Sequence, residues 1–187
     1  VGILANDSNF YGGSMSAQGA QKTSRFVKLC DTFHLPIVSL VDEPGFLIGP
    51  EAEMEATILH GAEAVLAVTE TSVPWSTVMI RKSFGVAAAA HFGPDGYVLA
   101  WPSAESGPLP LEGGVAVAFK KEIEASENPE AKRKEIEEKM SKQQNPFPRA
   151  ESFSVHEIID PRETRQYLCE WSERIQPQLE AKLLSLK

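Results

Sequence analysis

What most constrains this chain is a rhythm. Up to Leu111, a short run of β-branched and aromatic residues gives way to turn residues and then to a stretch with helical periodicity, and the unit recurs. The strand-like runs fall at residues 1–5, 36–42, 76–82 and 97–101. Between them, 17–33 places Phe26, Leu29, Cys30 and Phe33 on one helical stripe, and 51–71 does the same with Met54, Ile58, Ala62 and Val65. Val86 and the alanines 87–90, following Gly85, form a third and shorter helical segment. Strands alternating with helices of these lengths specify an α/β layered domain with largely parallel pairing.

The period changes after Leu111. Helical patterns cover 115–125 and, after a break at Asn128-Pro129, 130–143. In the second of these, opposite charges three and four residues apart (Lys132 to Lys139) describe a solvated helical projection. Residues 145–148, Asn-Pro-Phe-Pro, look like a linker and 156–159 like one more strand. Pro161 followed by Glu163 opens a terminal helix expected to reach Lys187. The expected organisation is therefore a layered core over 1–111 and a helical extension over 112–187.

With 187 residues the chain can bury one sizeable core, or one and an appendage. Its 18 Lys+Arg against 26 Asp+Glu leave a net charge of -8, which argues against a nucleic-acid phosphate groove. No apolar run approaches the ~20 residues of a membrane helix. Cys30 and Cys169 lie far apart in helical segments, a usage that fits a reduced, intracellular compartment, and the histidines show no metal-ligand spacing. Val1-Gly-Ile-Leu-Ala5 enters a core strand without preamble, as expected of a piece of a longer polypeptide or a separately encoded half.

Two segments are placed to meet a ligand. In Val41-Asp-Glu-Pro-Gly-Phe-Leu-Ile-Gly-Pro50 a strand ends and glycines and prolines bend the chain before a helix. Ligands collect at the carboxyl ends of parallel strands, although a plain structural turn fits the same residues. In Ile80-Arg-Lys-Ser-Phe-Gly-Val-Ala-Ala-Ala-Ala90 a strand runs through Gly85 into a helix of small residues. The N–H groups of Val86 and Ala87 are then free to bind an oxyanion, although tight packing alone would also select alanines there.

Conventional catalytic groups are scarce. Asp42 and Glu43 are adjacent on a strand and point to opposite faces, so they suit solvated carboxylates beside a turn better than a catalytic pair. His60 has the place of a packing histidine, and His91 that of either a cap or a base. Ser39 and Ser83 lack a nucleophile-elbow context. The pattern favours stabilisation by backbone amides over a side-chain nucleophile.

Ordered blocks run through the whole chain: Val1-Gly-Ile-Leu-Ala-Asn6, Lys22 through Arg25-Phe-Val-Lys-Leu-Cys-Asp31, Val41-Asp-Glu-Pro-Gly-Phe46 with Gly49, His60-Gly-Ala62, Arg81-Lys-Ser-Phe-Gly85, Ala100-Trp-Pro-Ser-Ala-Glu105, Glu112-Gly-Gly114 and Ile159-Asp-Pro-Arg-Glu-Thr-Arg165. In these the chain resembles the C-terminal half of the carboxyltransferase (beta) subunit of biotin-dependent acyl-CoA carboxylases, the acetyl-, propionyl- and methylcrotonyl-CoA carboxylase family. The resemblance implies a crotonase-like fold, with an active site shared between the C-terminal domain of one subunit and the N-terminal domain of another. It implies transfer of carboxylate from carboxybiotin to the α-carbon of an acyl-CoA, with the biotin enolate oxygen stabilised by an oxyanion hole. By residue match, Val86 and Ala87 supply that hole, Pro44, Gly45, Phe46, Gly49 and Gly85 line the biotin cleft, and Ala88 and Ala89 fall at the acyl pocket.

The implied partners are a biotin carboxyl carrier domain, a biotin carboxylase component, the N-terminal carboxyltransferase half, and further copies in a homo-oligomer. The Val86 helix and the seam at Gly113-Gly114 are candidate contacts. The implied compartment is the cytoplasm, or a mitochondrial or plastid matrix. A non-catalytic assembly module and another crotonase-fold acyl-CoA enzyme are the competing readings. This chain departs from the commonest members in having Val86 where many carry a second glycine, and Ala88 and Ala89 where many carry a tyrosine and a polar residue. A β-branched residue at a positive φ would be strained.

Overall fold

Each strand-like run becomes a strand of one sheet, and the pairings between strands are parallel. The structure, a computed structural model, describes residues 1–185; Leu186, Lys187 and the surroundings of Glu112, Gly113, Lys182, Leu183 and Ser185 lie outside what it describes. The expected helix end at Lys187 and the Gly113 side of the seam fall among these. Gly114 abuts the Leu109 side chain of its own chain.

The strands are β1 (Gly2–Ala5), β2 (Ile37–Glu43), β3 (Trp75–Phe84), β4 (Tyr97–Ala100), β5 (Glu105–Gly107) and β6 (Glu157–Ile158), in the order β1-β2-β3-β4-β6. The long β3 is the spine: its first half pairs with β2 and β4, and its second half with β5, in register Lys82↔Glu105 to Phe84↔Gly107. Alternation along β2 sorts side chains between two cores. Ile37 faces helices α1 (Ala17–Thr32) and α3 (Thr57–Glu70), whose Val27, Cys30, Ala67 and Val68 join Trp75 in one cluster. Val38 faces the terminal helix α9 (Thr164–Ser185), meeting Trp171 and Ile175. A full burial such as that of Ile37 contributes about 1.5–3 kcal/mol.

Helix α1 begins where Ser16 accepts a hydrogen bond from the Gly19 N–H at 3.1 Å, and it closes at His34, whose φ of 54° breaks the helix. The expected single helix over 51–71 is two, α2 (Pro50–Met54) and α3, because Ala56 takes a left-handed φ of 55° between them. The helix after Gly85 is α4 (Gly85–Ala88), extended by a 3-10 turn over Ala89–His91. Beyond β5 come α5 (Leu111–Ala118), α6 (Lys120–Glu124) and α7 (Pro129–Gln144). The expected linker at 145–148 is instead the start of α8 (Pro146–Glu151), with the Asn145 side chain accepting from the Phe147 N–H.

The expected helical stripes hold only in part: Cys30 is buried and Phe26 and Val65 pack against core clusters, but the rest of each buried row lies beside the expected one. On α1 the buried row is Ala20, Thr23, Ser24, Val27 and Cys30, while Leu29 and Phe33 are exposed. On α3 it is Thr57, Gly61, Ala64, Ala67 and Val68, while Ile58 and Leu59 are exposed. Small residues let α1 and α3 approach each other closely, so the contact face is set by size as much as by hydropathy. The charged face of α7 is solvated as expected, with Arg133 to Glu137 at 2.7 Å, but Ile136 and Gln144 are buried and the Gln144 amide donates to the Leu109 carbonyl at 2.9 Å. Both β6 and α9 come from the 112–187 extension, yet they complete the sheet and cover its second face. Among the described residues, no helix is long and apolar enough to cross a membrane.

Candidate active site

The site starts at the corner where β3 enters α4. Phe84 ends the strand fully buried and extended, and β5 pins this end through Phe84↔Gly107. Gly85 then turns the chain at a φ of 65°, a conformation that favours glycine. The positive φ falls on Gly85 alone. Val86 is not among the positive-φ residues, so the β-branched side chain at that position introduces no backbone strain. Val86 points its side chain outward, 68% exposed, while Ala87 and Ala90 are fully buried. Among the described residues, neither the Val86 nor the Ala87 N–H has a hydrogen-bond acceptor. The first turn of a helix leaves such donors over, and no side chain caps this one.

The second wall is the loop 44–49. Phe46 bridges in parallel fashion to Met15, with Met15 N–H donating to the Gly45 carbonyl at 3.0 Å and Leu47 N–H to the Met15 carbonyl at 2.9 Å. The Phe46 ring lies on Gly61 of α3, where an added Cβ would stand 2.3 Å from it. Phe46 packs against the same cluster that holds Ala87, together with Met15, Ala20, Ala64 and Ala90. The two segments singled out by their glycines are thus brought to one place by a common set of small residues. Pro44, Gly45, Phe46 and Gly49 are half-buried; Gly85 and Ala89 are exposed and Ala88 is buried.

Beneath these walls lies a polar network. The expectation of solvated carboxylates at 42 and 43 holds only in part. Asp42 forms a bidentate pair with the half-exposed Arg81 (shortest contact 2.9 Å) and accepts from the Lys82 N–H. Glu43, on the opposite face, is fully buried. One of its oxygens accepts from the Met15 N–H (3.2 Å) and the Gly45 N–H (3.0 Å); the other accepts from the Asn6 side-chain amide (3.0 Å). His91 is buried too: Nδ1 pairs with the Ser39 hydroxyl at 2.9 Å, and Nε2 lies 3.6 Å from Glu43 with no hydrogen-bond partner among the described residues. Its carbonyl accepts from Trp75 Nε1 and the Thr77 hydroxyl. His60 is a half-buried packing residue between Gln21 and Glu63, as expected. Sequence reasoning missed the Ser39–His91–Glu43–Asn6 chain; the only signal was the opposite facing of residues 42 and 43.

Glu43 and His91 also line a cavity of about 500 Å³ between the end of β1 and the start of α1. A larger apolar groove of about 690 Å³ runs between α9 and the β1–β2 face. Neither is lined by the 44–49 loop or the 85–89 corner.

Chemically, two N–H groups without acceptors, that of the exposed Val86 and that of the buried Ala87 behind it, are donors of the kind that hold an oxyanion. The chain as a whole has counterparts among known proteins. The carboxyl transferase domain model matches residues 1–183, and the chain belongs to that family. It is 39% identical over 173 residues to the propionyl-CoA carboxylase carboxyltransferase subunit of Haloferax mediterranei, covering 90% of this chain and 33% of that protein. To the methylmalonyl-CoA carboxyltransferase 12S subunit of Propionibacterium freudenreichii subsp. shermanii it is 40% identical over 171 residues, covering 89% and 32%. Among solved structures, a transcarboxylase 12S hexamer with methylmalonyl-coenzyme A bound superposes with a TM-score of 0.84 at 37% identity, covering 92% of this chain and 34% of that one. The geranyl-CoA carboxylase beta subunit of P. aeruginosa does so at 0.83 and 25%, covering 96% and 34%. The fold is therefore the crotonase-like α/β fold of carboxyltransferases. The chain spans about a third of the length of the relatives it matches.

Proposed function

We propose that this chain is the biotin-facing part of a carboxyltransferase that moves carboxylate from carboxybiotin to the α-carbon of an acyl-CoA. The observation that carries this is the pair of acceptor-free N–H groups at the β3–α4 corner, one on the exposed Val86 and one on the buried Ala87 behind it, in a chain of this family. Bound carboxybiotin would give up its carboxyl group as carbon dioxide and keep the bonding electrons, so negative charge would gather on its ureido oxygen, and a fixed N–H pair would fit that oxygen better than a side-chain cation. When bound, carboxybiotin supplies the carboxylate. Val86 and Ala87 then hold the oxygen in place and stabilise the charge that develops there.

Pro44, Gly45, Phe46 and Gly49 form the facing wall, which orients the ring and excludes water, and Gly85 sets the corner. Ala88 and Ala89 lie just beyond, on the acyl side. The remaining surfaces of the site come from the complementary N-terminal half, and the cofactor arrives on a biotin carboxyl carrier domain charged by a biotin carboxylase. Assembly is as a homo-oligomer, in the cytoplasm or an organelle matrix.

The test is labelled-carboxylate transfer with the complementary half, a carboxybiotinylated carrier and a panel of acyl-CoAs. Val86→Pro deletes one N–H at a helix position that tolerates proline, while Val86→Gly keeps it. Loss of one such donor costs about 3 kcal/mol, on the order of 10²–10³ in rate. Val86→Pro is expected to lose that much and Val86→Gly to stay close to wild type. Equal rates in both variants would remove the assignment.

A further inference from the structure

Glu43 and His91 are fully buried polar residues that the proposed transfer does not use. Burying such groups is expensive, and apolar residues of similar volume would stabilise the fold at least as well. Their place in the fold is specific. Through Met15 and Gly45 N–H, the Glu43 carboxyl ties down the first residues of the 44–49 loop. His91 ends the helical segment whose first turn carries Val86 and Ala87. Its ring is held to β2 by Ser39, and its carbonyl to β3 by Trp75 and Thr77. The brace of one wall therefore meets the brace of the other at a single contact, His91 Nε2 to Glu43 at 3.6 Å.

We propose that Glu43 and His91 are a positioning pair that fixes the separation between the 44–49 loop and the Val86–Ala87 amides. The inference rests on the carboxyltransferase reading, since it gives that separation its purpose. A rigid corner matters because a displacement of about 1 Å between reacting groups can cost on the order of 10²-fold in rate.

Conservative variants separate positioning from packing. In Glu43→Gln the amide oxygen can still accept from Met15 and Gly45, but its NH₂ confronts the Asn6 NH₂, donor against donor. In His91→Asn the amide overlays Nδ1 and keeps Ser39, but nothing reaches Glu43; in His91→Gln the amide reaches the Nε2 position. The expected result in the assembled carboxyltransferase is kcat lowered about 100-fold in Glu43→Gln and His91→Asn. KM for the acyl-CoA should stay within about twofold, and His91→Gln should recover part of the loss.

On the 187-residue chain alone, the amide signals of Val86 and Ala87 should shift in Glu43→Gln, although residue 43 is remote from them in sequence. Ser39→Ala, the smallest change in volume, should move both the His91 ring nitrogens and those amides. A lowered melting temperature with unchanged kcat per folded enzyme, or unmoved Val86 and Ala87 amides, would overturn the pairing. If wild type transfers no carboxylate, the carboxyltransferase reading fails by itself. The amide shifts then still decide whether the two walls are coupled.

Discussion

Gly61 offers a stability experiment whose sign can be worked out beforehand. A Cβ at this position would stand 2.3 Å from both Cε1 and Cζ of Phe46, whereas carbon atoms rest about 3.5–4.0 Å apart. The ring must therefore retreat by about 1.2 Å. It cannot carry its backbone along freely, because Met15 and Leu47 hold the strand-like bridge on either side. Overpacking of this kind costs about 1–3 kcal/mol. Against it stands the gain of about 1 kcal/mol from replacing a glycine inside a helix by alanine. Gly61→Ala is thus expected to destabilise by about 1 kcal/mol, a fall of roughly 2–4 °C in melting temperature for a chain of this size.

The decisive arm uses Phe46→Ala as the background. With the ring gone the steric cost vanishes and only the helix gain remains, so the same Gly61→Ala should now stabilise by about 1 kcal/mol. Urea denaturation of the four proteins closes the cycle, with an expected coupling of about 2 kcal/mol. If Gly61→Ala stabilises both backgrounds alike, Phe46 does not seat on α3. The 44–49 loop would then lack that seat on α3.

Three further outcomes are expected. Cys30 is fully buried and burial pushes its thiol above the ordinary 9.0, whereas Cys169 is exposed; a thiol reagent near neutral pH should label one cysteine per native chain and the second only in denaturant. Because the folded pKa of Cys30 is the higher one, its contribution is intact below the unfolded value and lost as pH rises past it, so stability should begin to fall above about pH 9. Ser16→Ala removes the acceptor of the Gly19 N–H at the start of α1 and should cost about 1 kcal/mol in urea titrations, with Ser16→Asp restoring most of it.

The strands were legible because a parallel sheet buried on both faces demands unbroken runs of β-branched residues, and these runs stand out from the glycines and prolines around them. β5 escaped for the converse reason: Glu105-Ser-Gly107 has no strand propensity and pairs with β3 through backbone alone. The helical segments are legible in the sequence, but which face each one buries is not. Large apolar residues at helical spacing, such as Leu29 with Phe33 or Met54 with Ile58, seemed to mark the core. The core prefers the row beside them, because two helices that pack closely select Ala, Gly, Ser and Thr at the contact. Hydropathy cannot see that preference. Asn145-Pro146 was misread because a cap followed by proline begins a helix as readily as it ends one.

The candidate site divides along the same physical line. Its walls are made of main chain, and main chain reports itself only where it needs glycine. Gly85 at a φ of 65° and the loop glycines Gly45 and Gly49, at 132° and 117°, were visible for that reason. What lies under the walls is made of side chains whose meaning is set by neighbours far away in sequence. Glu43 is fully buried, unlike the partly exposed Asp42 paired with Arg81, because β2 turns it toward Asn6 just after β1 and Met15 ahead of α1, which lie 37 and 28 residues away. His91 meets Ser39 across 52 residues. No local pattern encodes those distances, since the same Asp-Glu pair with its facing reversed would leave the sequence unchanged in composition and period. Glycine spacing therefore locates the two segments of the candidate site, whereas the Glu43 and His91 contacts beneath them emerge only once the sheet has brought β1, β2 and the corner after β3 together.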